Sequence, residues 1–256
     1  MSQSILQNRS LMFLLCMSFL GVLLSVLLAF FPPVLHEDFV WRKPIVGSVF
    51  GLICVLGIFA AFFPKQCTNV LNFGKGKGHV LHGDSKLGGH HPSCENFSPH
   101  VFQIDDRRFC VACTGLTVGG LLALVGTFLY FFVDWCVEQN IVLVVLSGLV
   151  GVSLGLFQFG VKQRFVRFSL NVFFVLGSFG VLVGIDELTR SVFADLFLVA
   201  LICFWLFTRI SISQWDHERI CYACDVAVCE FRKFLKNEEE VALVSTAESE
   251  VGAYND

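Results

Sequence analysis

Residues 11–31, LMFLLCMSFLGVLLSVLLAFF, decide the fold. The run carries no charge, and its length matches the roughly 20 residues a helix needs to cross a bilayer's hydrocarbon core. Arg9 precedes it, and Pro32 and Pro33 end it. The run is longer than a usual signal-peptide core, and no small-x-small cleavage site follows. It reads as a retained helix, with cleavage as the alternative.

Five further runs of the same kind follow, at residues 44–63, 111–133, 141–160, 168–185 and 192–210. Pro33, Pro64 and charged clusters punctuate them. Composition agrees: 55% of the 256 residues are hydrophobic and only 15% charged, where a soluble domain is nearer one quarter charged. The expectation is therefore an all-α, polytopic membrane protein with about six transmembrane helices. The chain divides into an N-terminal segment (1–10), a first helix pair (11–63), a His/Cys loop (64–110), a four-helix membrane region (111–210) and a Cys-containing tail (211–256). The net charge of −3 and the lack of a continuous basic stripe argue against nucleic acid as a partner.

Lysine and arginine set the direction. With six spans, one side receives Arg9, the six basic residues of the 64–110 loop, Lys162, Arg164, Arg167, Arg209 and the basic residues of the tail. The other side receives only Arg42, Lys43 and Arg190. The positive-inside rule then places both termini in the cytosol of a multi-pass protein of the cell membrane. A five-span arrangement would scatter these charges over both faces.

Small-residue pairs at four-residue spacing, Gly47/Gly51, Gly115/Gly119, Gly151/Gly155 and Gly180/Gly184, predict close helix approach in a compact bundle. Gln158 and Asn171 fall near cytosolic helix ends, and Asp195 about one turn into the sixth span. Asp186 and Glu187 lie at the outer border, where they are expected to reach water. The spans hold no paired histidines at helical spacing, which argues against a b-type haem, and no chain of carboxylates suited to a proton pump.

Two cysteine groups flank the hydrophobic body. The first comprises Cys94, Cys110 and Cys113, with His90, His91 and His100 nearby; the second is His217, Cys221, Cys224 and Cys229. The cytosol is reducing, so metal binding is a better reading than disulfides. Cys-x2-Cys lets two sulfurs face one ion, and a third sulfur plus an imidazole completes a tetrahedral zinc site. His91 and His100 are the better fourth ligands of the first group. His-x3-Cys-x2-Cys-x4-Cys offers four zinc ligands in the second, and one site drawing on both groups is the alternative. An iron–sulfur cluster ranks below zinc because it more often takes four thiolates. The plainer reading of each group is free thiols, in the second case on an amphipathic helix. Thr114 is placed to cap the third span. The basic, glycine-rich segment 72–84 lacks the spacing of a phosphate loop and reads as a flexible segment facing anionic headgroups.

Cys110, Cys113, Thr114 and Gly115, leading into a glycine-containing membrane helix behind a His/Cys/Pro/Phe segment at 91–97, resemble the domain-of-unknown-function 2085 family of predicted membrane proteins. That family's pattern has arginine where Ala112 stands and a different His/Cys order in the first segment. The resemblance covers about 40 residues. It implies a membrane protein with a metal-binding signature and no defined activity.

Three functions are compatible with these features. A cytosolic zinc-binding head with a scaffold or sensor role comes first, leaving room for a cytosolic protein partner. A membrane thiol or metal oxidoreductase using Cys110/Cys113 or Cys221/Cys224 is the second, although no thioredoxin-like context surrounds either pair. A small-solute transporter with Gln158, Asn171 and Asp195 near its path is the third, without the internal repeat such proteins often carry.

Overall fold

The computed structural model describes residues 9–33, 40–62, 100–104, 107–135, 140–158, 161 and 163–222. For residues 103, 104, 107, 108, 217, 218, 221 and 222 it describes the backbone alone. Six α-helices form among the described residues: α1 (Arg9–Phe30), α2 (Arg42–Phe62), α3 (Val111–Thr127), α4 (Ile141–Leu156), α5 (Arg164–Thr189) and α6 (Val192–Tyr222). A short hairpin, β1 (Val101–Ile104) and β2 (Arg107–Cys110), runs directly into α3, and a π-helical turn, Phe128–Phe132, extends α3 at its far end. The protein is an all-α polytopic membrane protein. Five helices are long and apolar enough to cross a bilayer, and α4 is a shorter apolar helix of 16 residues.

Side-chain contacts fix the helix directions. Ser18 on α1 donates its hydroxyl hydrogen to Thr208 Oγ1 on α6 (2.9 Å), and Trp205 Nε1 donates to the Ser18 carbonyl (3.2 Å). Gly21 faces Leu201, so α1 and α6 run antiparallel. The glycines set the tightest seams. A Cβ at Gly177 on α5 would lie 2.5 Å from the Gly148 carbonyl oxygen on α4, and one at Gly115 on α3 would lie 2.6 Å from the Phe168 carbonyl oxygen on α5. Of the expected small-residue pairs, Gly115/Gly119 and Gly151/Gly155 both sit in such approaches. Gly51 and Gly180 have ordinary van der Waals clearance, 3.7–3.8 Å.

Trp205, Phe50, Phe174, Leu182 and Leu198 fill the interior. Leu20, Leu23, Leu24 and Leu27 on α1, Leu52 and Leu56 on α2, and Leu121, Leu122 and Val125 on α3 point outward. An apolar belt of that size on a water-soluble protein would be an association site; around a bundle it is the surface that meets lipid.

Three boundaries differ from the sequence expectation. α4 stops at Leu156 rather than residue 160, because Phe157 leaves the helix and Gln158 turns inward to polar partners. α5 is longer at both ends than 168–185. α6 continues twelve residues past 210, so the first part of the tail is helix. Its buried positions Ile202, Trp205, Arg209, Ile212, Trp215 and Asp216 keep helical spacing straight through that boundary.

Candidate functional site

Buried polar groups gather at the two ends of the bundle. At the end formed by the starts of α2 and α6 and the ends of α3 and α5, Arg42 Nη1 forms an ion pair with Asp186 Oδ1 and another, at 3.1 Å, with Asp195 Oδ2. Tyr130, in the π-helical turn, donates to the other oxygen of Asp186 (2.6 Å). The tight connection between α5 and α6 places both carboxylates on one arginine. Arg190 caps α5 in the left-handed region (φ 48°), with its N–H on the Asp186 carbonyl (3.0 Å), and α6 begins two residues later. A non-glycine residue there carries local strain. Asp186 is 0% exposed, which corrects the expectation that it reaches water, and Asp195, one turn into α6, is 0% exposed as well. Around this core, Lys43 meets Asp134 (2.5 Å) and lies 4.7 Å from the Tyr130 ring centre.

The opposite end carries Cys110 and Cys113. Asn171 Nδ2 donates to the Arg167 carbonyl (2.7 Å) and to Gln158 Oε1 (3.2 Å). Arg209 Nη2 donates to Gln158 Oε1 (2.6 Å) and to Asn171 Oδ1 (3.1 Å). A second hub centres on Asp216. Arg167 Nη2 (3.3 Å), Arg219 Nη2 (3.2 Å) and His100 Nε2 (3.6 Å) surround its carboxylate, and the Arg219 guanidinium lies over Trp215. The hairpin sets His100 there: it immediately precedes Val101, which pairs with Cys110. Cys110, which caps α3, and Cys113, on its first turn, are within electrostatic reach of Arg209.

Between the two hubs, Gln158, Arg167, Arg209, Ile212, Ser213 and Asp216 line a small recess with room for about one water molecule. Three of these side chains carry buried N–H groups with no acceptor among the described residues: Gln158 Nε2, Arg167 Nε and Arg209 Nε. Each such orphan costs about 1–3 kcal/mol, more on a charged group. A concentration of three beside one recess is therefore informative.

The expected metal ligands are only partly placed. His100 and Cys110 are buried and Cys113 is half-buried. His217 and Cys221 lie in the last turns of α6, described by backbone alone. His90, His91, Cys94, Cys224 and Cys229 lie outside the described residues. Among the described residues no three His, Cys, Asp or Glu side chains assemble as a metal site, so a zinc ion would need ligands from beyond them. Thr114 does not cap α3: its hydroxyl donates back to the Cys110 carbonyl (2.8 Å), and Cys110 itself occupies the cap position. Of the residues expected on a transport path, Gln158 and Asn171 do meet. Asp195 belongs to the opposite end, and the packed interior around Trp205, Leu198 and Leu182 separates them.

Sequence reading did not single out Arg42, Tyr130, Arg167 or Asp216. The available signal was the helical spacing of apolar residues past position 210, which carries Asp216 onto the buried face of α6. The fold and its two polar ends define the class, a helical-bundle integral membrane protein. No protein-family model, curated protein or solved structure matches the chain.

Proposed function

We propose that this is a multi-pass protein of the cell membrane whose cytosolic end carries a zinc-binding His/Cys head with a scaffold or sensor role. The observation that supports this reading is the contact between His100 and Asp216 at 3.6 Å. It draws the hairpin that bears Cys110 against the segment of α6 that leads to His217 and Cys221, so the described members of the two cysteine groups share one end of the bundle. A zinc ion there would tie the 64–110 loop and the tail to the helices, because thiolate and imidazole are its preferred ligands. The bias of lysine and arginine assigns that end to the cytosol. The partial resemblance to the domain-of-unknown-function 2085 family points the same way.

The test is metal analysis of detergent-purified protein prepared without oxygen. About one or two zinc ions per chain, a lower folded yield for Cys110→Ser and Cys113→Ser, and destabilisation by chelator are the expected results. Metal-free protein that is equally stable in chelator would sink the reading. Iron with visible charge-transfer bands would replace it with an oxidoreductase.

A further inference from the structure

We propose that Asp186 and Asp195, at the Arg42 end of the bundle, form a proton-binding site: the two carboxyl groups share one proton at neutral pH, and its release at higher pH loosens the hold of α2 on α5 and α6. The zinc reading concerns the opposite end, so this inference stands apart from it.

Three observations carry it. The first is charge. Asp186 and Asp195 are both 0% exposed, and the cation they share is a single guanidinium, Arg42, itself buried. With both carboxylates ionised, the core of the cluster would hold one uncompensated negative charge, and buried charges are costly unless paired. The rim does not supply the missing cation. Lys43 meets Asp134 and Glu187, and Arg190 meets Glu187, so two positive and two negative groups balance one another there. Tyr130 faces Asp186 and Glu187 and is neutral. His36, Glu37, Asp38 and Glu138, in the neighbouring segments, lie outside the described residues.

The second observation is the hydrogen count. An ionised carboxylate only accepts hydrogen bonds. Arg42 Nη1 donates to both carboxylates, and Tyr130 donates to the second oxygen of Asp186. Asp195 Oδ1 is left without a donor among the described residues. The third is proximity. The two carboxylates bind the same nitrogen atom and lie within hydrogen-bond reach of each other. Two acceptors at that range need a hydrogen between them. A proton supplies it, cancels the surplus charge and requires no cavity. It belongs to the pair rather than to either residue. When it leaves for solvent, two ionised carboxylates remain on one guanidinium, and their repulsion acts directly on the contact that joins α2 to α5 and α6. An ionisable group this deep in a membrane helix is a functional candidate in its own right.

The full chain is purified in a neutral detergent, and its infrared spectrum is recorded at neutral pH. A protonated carboxyl group absorbs apart from carboxylates. The parent should show one such band, lost or shifted in Asp195→Asn and in Asp186→Asn, and lost reversibly as pH is raised. Thermal unfolding followed by tryptophan fluorescence reads the same proton through stability. The folded pair keeps a proton that the unfolded chain has released, so raising pH above about 5 costs stability. Relative to Asp195→Asn, the parent's midpoint should fall by roughly 3–5 °C per pH unit until the pair itself ionises. Asparagine mimics the protonated carboxyl group, so the Asp195→Asn midpoint should equal or exceed the parent's at neutral pH. A parent without the protonated-carboxyl band, or a band unchanged in both variants, overturns the proposal. So does an Asp195→Asn midpoint below the parent's at neutral pH, or a pH profile parallel to the parent's. His36→Ala should leave band and profile as they are in the parent; if it removes the pH dependence, the proton sits on His36 and the proposal fails. If Asp195→Asn does not fold, Asp186→Asn and the parent's own band decide.

Discussion

The two polar ends of the bundle are built with opposite balances. At the Arg42 end, one guanidinium and a tyrosine hydroxyl serve two carboxylates, and the only buried orphan there among the described residues is an acceptor, Asp195 Oδ1. At the Arg209 end, three arginines share one carboxylate and two amide side chains, and N–H groups of Gln158, Arg167 and Arg209 have no acceptor among the described residues. The first set is nearly complete from the chain's own side chains and holds α2, α3, α5 and α6 together. The second leaves three N–H groups without an acceptor among the described residues. A buried charge cluster is therefore not by itself a functional site. The sign of the imbalance separates a cluster that closes on itself from one that stays open among the described residues.

The contrast can be broken most directly by deleting one arginine at each end. Arg42→Leu leaves two buried carboxylates without their cation and should cost about 3–5 kcal/mol of stability in a detergent unfolding assay. Arg209→Leu removes an orphan along with its two hydrogen bonds, and should cost about 1–3 kcal/mol. If Arg209→Leu proves the more damaging, the Arg209 end is the stronger staple of the two.

The next effect in size concerns the seam that holds the ends in register. Gly177→Ala forces a Cβ onto the Gly148 carbonyl and should cost about 1–3 kcal/mol. Gly57→Ala, where nothing lies within 4 Å, should be neutral or slightly stabilising. Equal effects would mean that α4 and α5 are not so closely apposed.

The smallest effect lies at the rim of the Arg42 end. The Lys43 hydrogen bond and charge hold the Asp134 carboxyl below its ordinary range. A lowered folded-state value gives a stabilising contribution that is present above the unfolded carboxylate range. It is lost as pH falls through the folded value. Asp134 is largely exposed, so the contribution is screened by water and salt. Asp134→Asn should change stability by less than about 0.5 kcal/mol and flatten the acid side of the pH profile. A larger change would make the rim part of the staple.

Most of the bundle was legible because hydropathy and charge report on it directly. The spans begin and end near where apolar residues do, and the glycine pairs at 115/119 and 151/155 mark true seams. The polar ends were legible only in part. Arg42 counts as a loop charge in a hydropathy profile, yet it folds inward onto Asp186 and Asp195, one of them 144 positions away along the chain. Nothing local in the sequence encodes that pairing. α6 was cut short because its continuation is amphipathic rather than apolar. Its buried face, Ile212, Trp215 and Asp216, packs against protein while its other face carries polar groups. The cysteine spacing, in turn, says which ligands are at hand and not which of them converge.

The unbroken length of α6 has a mechanical consequence. At 1.5 Å per residue its 31 residues make a rod of about 46 Å. That rod carries Asp195 in one charge cluster and Asp216 in the other, about 32 Å apart. Because the helix is continuous from Val192 to Tyr222, its length sets the angular phase of the two ends. Inserting a single residue near Leu201 would turn one end by about 100° relative to the other, so the chain could satisfy Arg42 or Arg167 but not both. A push or twist applied to the tail is felt, through the same rod, on the far side of the membrane.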